Sequence, residues 1–157
     1  MRRRAADALV TLTVNGVAVA LPGPDTAMLL DALRNTLGLT GSRYGCGAGN
    51  CGACMVLIDG YAQPACTAPL WSVANKAVVT IEGLGTPDRP HRLQTAFLDH
   101  QAGQCGYCLA GILISAAGLL ARVPHPTEAA IRDALDRNLC RCGAHNRIVR
   151  AVLQASQ

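Results

Sequence analysis

Lysine is nearly missing from this chain: a single one stands against thirteen arginines. Aromatic residues make up 3% of the 157, charged residues only 15%, and half of all residues are hydrophobic. A disordered polyelectrolyte is excluded by that balance, because such chains are rich in charge and poor in apolar side chains. Long apolar runs are also lacking, and nothing approaches the roughly 18 residues needed to cross a bilayer. Met1-Arg2-Arg3-Arg4 looks like the charged start of an export signal, yet Asp7, Thr11 and Thr13 interrupt the next ten residues and no separate apolar core or cleavage site appears. A cytoplasmic protein is expected, with periplasmic or membrane-associated placement by co-export with a partner as the alternative. Paired carboxylates are absent too: Asp59, Glu82, Asp88 and Asp99 are scattered and read as solvated. No C-x-H pattern accompanies His91, His100, His125 or His145, so these histidines read as surface or capping residues and no catalytic residue is expected.

What the chain does hold is cysteine, eight residues, and glycine, sixteen. Three cysteines and four glycines fall within Tyr44-Gly45-Cys46-Gly47-Ala48-Gly49-Asn50-Cys51-Gly52-Ala53-Cys54. With Cys66 they read C-x4-C-x2-C and then a fourth cysteine, the ligand spacing of a plant-type 2Fe-2S centre. Thiolates suit soft iron, and glycines let a short loop turn its N-H groups toward sulfur. Cys105-Gly106-Tyr107-Cys108 and Cys140-Arg141-Cys142 supply a second quartet. Disulfides are disfavoured, since no secretion signal is evident and Cys140 and Cys142 are too close to bridge without strain. Zinc is the closer rival, because four thiolates alone do not separate it from iron. The glycine-packed insert between Cys46 and Cys51, and the lack of a second C-x2-C completing either quartet, favour iron and sulfide.

The formal charge is +4. Each oxidised 2Fe-2S centre with four thiolates adds about −2, which brings the loaded chain close to neutral. Nucleic-acid binding is therefore not expected. Arg132, Arg137, Arg141, Arg147 and Arg150 alternate with Asp133 and Asp136 and read as a solvated or protein-binding face.

Periodicity divides the chain. Leu9 to Val14 and Val17 to Leu21 alternate about an Asn15-Gly16 turn, predicting a hairpin. Asp25 or Thr26 should cap a helix to about Leu37, with Leu29, Leu33 and Leu37 inward and Gly38 ending it. Met55 to Ile58 and Tyr61 to Cys66 predict a second hairpin about Asp59-Gly60, followed by a strand over Ala77 to Glu82. Gly83 to Pro90 reads as a linker. Helical periods then predict helices from Leu93 to about Ala102, Tyr107 to Ala121, Thr127 to Asn138, and His145 to about Ala155. The expected fold is α+β: a small mixed sheet with one helix against it over 1–84, framing the first cysteine loop, and four helices over 85–157 whose ends bring the second quartet together.

Three segments carry a family resemblance: Gly41-Ser42-Arg43-Tyr44-Gly45-Cys46 through Cys54, Gln104-Cys105-Gly106-Tyr107-Cys108, and Asn138-Leu139-Cys140-Arg141-Cys142-Gly143. Together they resemble the iron-sulfur subunit of the molybdenum hydroxylases, the xanthine oxidase family. That resemblance spans about Leu9 to Leu153. It implies a plant-type 2Fe-2S ferredoxin-like (β-grasp) domain over 1–84 followed by a four-helix 2Fe-2S domain over 85–157, two 2Fe-2S clusters, a large molybdenum-pterin catalytic subunit as partner, and an external electron acceptor. By the same resemblance Cys105, Cys108, Cys140 and Cys142 hold the cluster nearer molybdenum, Cys46, Cys51, Cys54 and Cys66 the outer one, and Gln104 and Cys142 lie against the pterin. Leu109-Ala110 and Gly143-Ala144-His145 depart from flavin-containing relatives. They are more similar to the small subunits of nicotinate dehydrogenase and isoquinoline oxidoreductase, which implies a cytochrome acceptor, with a flavin subunit as the alternative. Asn50 stands where relatives carry Glu or Gln. The substrate would be an N-heterocyclic aromatic or an aldehyde. A free-standing two-cluster ferredoxin and a zinc-stabilised binding module are the alternative readings.

Overall fold

A computed structural model of the chain describes residues 9–157, so the arginine run at the start lies outside the described residues. Strands β1 (Leu9–Val14) and β2 (Val17–Pro22) form the predicted hairpin, with Val14 opposite Val17. Asn15 and Gly16 take φ of 50° and 81°, the left-handed pair that a type I′ turn needs. β3 (Met55–Ile58) and β4 (Tyr61–Pro64) repeat the device around Asp59 and Gly60. β5 (Ala77–Val79) inserts between the hairpins, parallel to β1 and antiparallel to β3, giving the order β2-β1-β5-β3-β4.

The first helix departs from expectation. α1 (Leu29–Asp31) starts after Met28, which offers no side-chain cap, and widens into π-type turns over Ala32–Thr36. Asp25 and Thr26 are not its cap because the backbone of 25–28 is engaged elsewhere: Asp25 and Ala27 carbonyls accept from Trp71 and Leu70, each at 2.9 Å. Leu29 and Leu33 are buried and Leu37 half-buried, while Gly38 takes φ 70° at the stop. Cys66 is not on the returning strand either; β4 ends at Pro64, and Cys66 sits in the 3-10 turn Ala65–Thr67. The strand expected to reach Glu82 stops at Val79, and α2 (Ile81–Leu84) follows. Asn15 causes this: its Oδ1 accepts from Thr80 N at 2.9 Å and its Nδ2 donates to Thr80 Oγ1 at 2.9 Å, turning the chain off the sheet. Glu82 is correspondingly not simply solvated, since it accepts from Gly41 N at 2.7 Å and Thr80 Oγ1 at 2.6 Å.

The remaining helices are α3 (Arg92–Asp99), α4 (Leu109–Arg122), α5 (Glu128–Leu135) and α6 (His145–Ala155). Thr127 caps α5 as its position predicts, accepting from Ala130 N at 3.2 Å. His91 caps α3 in a reciprocal box with Gln94. α4 is buried without interruption from Gly111 to Leu120.

Two hydrophobic cores result. One gathers Leu12, Leu21, Leu29, Leu33, Val56 and Val78 between the sheet and α1. The other gathers Leu93, Phe97, Ile112, Ile131, Ile148 and Val152 among the helices, with Ile81 and Leu84 of α2 packed against it. α4 lies on the opposite face of the sheet from α1: Val56 and Ile58 point into the first core, while Leu57 between them meets Gly118. Glycine is required at Gly111, where a Cβ would overlap the Gly52 carbonyl oxygen.

Candidate metal centres

The Cys46–Cys54 loop folds as its glycines require. Gly47, Gly49 and Gly52 all take positive φ, and the turns they make aim backbone N-H groups at sulfur. Cys46 Sγ accepts from Asn50 N at 3.2 Å and Ala48 N at 3.4 Å, and Cys51 Sγ accepts from Cys46 N at 3.3 Å. Those N-H groups, Ala48's foremost, lower the Cys46 thiol to about 6, so it is ready as a thiolate. Cys54 is buried, and burial pushes it up to about 12. Such a thiol gives up its proton only against a compensating cation. Ala65 N bonds Cys54 O at 3.1 Å and so brings the Cys66 turn beside Cys54.

The second quartet is built from helix ends. Cys108 is the residue before α4, Cys105 lies in the turn ahead of it, and Cys140 and Cys142 lie in the turn before α6. The Tyr107 N-H lowers Cys105, and burial pushes Cys108 up to about 12. Each quartet therefore combines an exposed, acidified cysteine with a buried, reluctant one.

The eight thiols lie close enough to perturb one another in pairs: Cys46 with Cys51, Cys54 with Cys66, Cys105 with Cys142, and Cys108 with Cys140. Two pairs per quartet suit a 2Fe-2S centre, in which each iron takes two thiolates. Among the described residues no three His, Cys, Asp or Glu side chains are grouped to hold one metal ion, and this arrangement does not require it. A further fit is steric: a Cβ on Gly45 would come within 2.6 Å of Cys51 Sγ.

Three contacts join the quartets. Leu139, next to Cys140, donates its N-H to the Cys51 carbonyl at 3.0 Å. Buried Asn138 donates to Gly52 O at 3.2 Å. Tyr107, between Cys105 and Cys108, donates its hydroxyl to Tyr44 O, and Arg43 stacks over its ring at 5.3 Å. None of these pairings has a local signature in the sequence; the partners are 63 to 86 residues apart in the side-chain cases. Gln104 is exposed, beside a groove of about 470 Å3 that includes Leu98, Leu109 and Leu113. The histidines stand apart from both quartets where their contacts are defined: His91 caps α3, and His125 Nδ1 lies 2.6 Å from Ser156 O.

Comparison with known proteins agrees with two centres on one chain. Residues 12–74 match the 2Fe-2S iron-sulfur cluster binding domain, and residues 80–153 match the [2Fe-2S] binding domain. The nicotinate dehydrogenase of Pseudomonas putida has one subunit that is 50% identical over 94% of each chain. The chain belongs to the iron-sulfur subunits of the molybdenum hydroxylases. Isoquinoline 1-oxidoreductase subunit alpha of Brevundimonas diminuta is 45% identical, covering 95% of this chain and 98% of its own. The crystal structure of quinoline 2-oxidoreductase from Pseudomonas putida 86 superposes with a TM-score of 0.91 at 34% identity, over 96% of this chain and 94% of that one. This iron-sulfur subunit thus has a ferredoxin-like domain followed by a helical one, binds two 2Fe-2S clusters, and serves an oxidoreductase in electron transfer rather than in bond-making. No helix among the described residues is long and apolar enough to cross a membrane.

Proposed function

We propose that the chain passes single electrons from the molybdenum site of a large catalytic subunit to an external acceptor, a cytochrome in preference to a flavin subunit. Cys105, Cys108, Cys140 and Cys142, in the unit 85–157, ligate the cluster nearer molybdenum. Cys46, Cys51, Cys54 and Cys66, in the unit 1–84, ligate the outer one. The observation that carries this assignment is the arrangement of the eight thiols as four pairs, two in each unit. When bound, the clusters supply one-electron redox capacity at two points along the chain.

The chain's own residues do the rest. Backbone N-H groups of Ala48 and Asn50 support negative charge on sulfur, which raises the ease of reduction. The Leu139-to-Cys51 hydrogen bond supplies a short bonded connection between the two units. Gln104 and Cys142 are assigned to the pterin side of the partner, in keeping with their place at the helical quartet. The relatives nicotinate dehydrogenase and isoquinoline 1-oxidoreductase favour hydroxylation of an N-heterocyclic aromatic over aldehyde oxidation by the complex. The assigned location is cytoplasmic, with co-export alongside a partner as the alternative.

Paramagnetic resonance of the dithionite-reduced complex tests the ligand assignment. Two distinguishable signals are expected; Cys51→Ser removes one and Cys108→Ser the other. Loss of both from either change contradicts two independent centres.

A further inference from the structure

An apolar cleft opens beside Cys66. It holds about 310 Å3 and is lined by Met28, Leu30, Asp31, Arg34, Tyr44 and Cys66. Its rim carries side chains that a solvated surface has no use for: Met28 is 40% exposed and Tyr44 61%. Trp71 extends the same ridge, 61% exposed, because Met28 pairs with Pro69 in a β-bridge and Trp71 N donates to Asp25 O at 2.9 Å. The chain has five aromatic residues in all, one Trp, three Tyr and one Phe, and two of them stand here. Exposed Trp, Tyr and Met are the residue types that dominate binding energy at protein interfaces.

The position of the cleft narrows what covers it. α1 and the turn bearing Trp71 lie on the sheet face away from α4, so that side of the cleft faces away from the helical core, while Tyr44, whose carbonyl accepts from Tyr107, marks its edge toward the helical unit. Charge narrows it further. Residues 1–84 carry six cationic side chains, Arg2, Arg3, Arg4, Arg34, Arg43 and Lys76, against five carboxylates, whereas residues 85–157 carry eight arginines against five carboxylates. At the cleft Asp25 and Asp31 are exposed, Arg34 is bonded through Nη1 to the Thr40 and Ser42 carbonyls at 2.7 and 2.9 Å, and Arg43 lies over Tyr107. A loaded centre adds about −2 to each unit, which leaves the sheet unit at about −1 and the helical one at about +1. The sheet unit is therefore the negative end of a chain whose other end is positive.

We infer that this cleft is the docking site of the electron acceptor, and that the acceptor is a protein with a flat apolar redox edge inside a ring of basic side chains. The inference rests on the relay function proposed for the chain and adds the face and the chemistry of the partner. Apolar contact on Trp71, Tyr44 and Met28 holds the complex, and Asp25 and Asp31 steer encounter and orient it.

The whole complex is tested with three probes: cytochrome c, whose haem edge is ringed by lysines; its zinc-substituted form, which binds but accepts no electron; and acidic flavodoxin. Calorimetry should show zinc cytochrome binding, weakened about tenfold by Trp71→Ala and about tenfold by Asp25→Lys with Asp31→Lys. In stopped flow, the dithionite-reduced complex should reduce cytochrome c faster at low salt, and the double lysine variant should lose that salt dependence. Reduction of benzoquinone, small and uncharged, should be unchanged in these variants. Variants that bind zinc cytochrome within twofold of the native complex, or native protein that prefers flavodoxin, overturn the docking site. If the reduced native complex delivers electrons to neither cytochrome c nor benzoquinone, the relay reading falls instead, and the zinc cytochrome titration still decides the docking site.

Discussion

The two cysteine quartets reach the same chemistry from different chain material. In the sheet unit the sulfurs are organised by backbone: glycines at positive φ bend an eleven-residue loop until its N-H groups face Cys46 and Cys51, and a 3-10 turn brings Cys66 beside Cys54. In the helical unit the sulfurs are organised by packing, because Cys108 moves with α4 and Cys140 and Cys142 with the turn into α6. One site therefore depends on local dihedral angles, and the other on the helical core beneath it. Yet both end with the same balance, an exposed thiol acidified by peptide N-H groups and a buried one raised to about 12.

Substitutions can break or sharpen that contrast. The largest effect is expected from Gly111→Val, since its Cβ would overlap the Gly52 carbonyl at the seam between the units. Because that carbonyl belongs to one quartet's loop and α4 to the other's helix, both centres should fail together. Destabilisation of about 3 kcal/mol is expected in urea unfolding, with loss of visible absorbance from both. Gly47→Ala comes next and separates the units. It combines φ of 68° with a clash on the Tyr44 hydroxyl, and should cost about 1–2 kcal/mol and lower iron content at the sheet centre alone. Gly143→Ala, at φ 71° in open space, is the counterpart that affects only the helical centre, by about 1 kcal/mol.

Thr127→Ala removes the α5 cap and should cost about 1 kcal/mol, read by thermal unfolding, while both paramagnetic signals persist. Tyr107→Phe keeps the ring under Arg43 but deletes the hydroxyl bond to Tyr44 O, for about 0.5–1 kcal/mol. Magnetic interaction between the two reduced centres is the informative readout there, since the bond lies between the quartets. Smallest of all, Glu128→Gln breaks an exposed i,i+4 pair with Arg132 worth about 0.3–0.5 kcal/mol and should leave both centres untouched.

The legible part of this protein was local. Asn15-Gly16 and Asp59-Gly60 announced two hairpins because I′ turns demand those residues, and α6 runs from His145 to Ala155 as its period predicts. The C-x4-C-x2-C spacing likewise marked Cys46, Cys51 and Cys54 as one glycine-built loop, because those three are near in sequence. What could not be read was set by distant partners. Asn15 draws Thr80 off the sheet, Trp71 occupies the Asp25 carbonyl and denies the first helix its cap, and Leu139 bonds Cys51 across the seam. Each contact joins residues more than 40 positions apart, and periodicity within a window carries no trace of it.

The central claim is that four thiol pairs hold two separate 2Fe-2S clusters on one chain. Iron, zinc and acid-labile sulfide analysis of the purified complex tests it most directly. About four irons and four sulfides are expected for each copy of this chain, after subtraction of any carried by the partner subunits. Two irons with two sulfides, or two zinc ions with no sulfide, would contradict it.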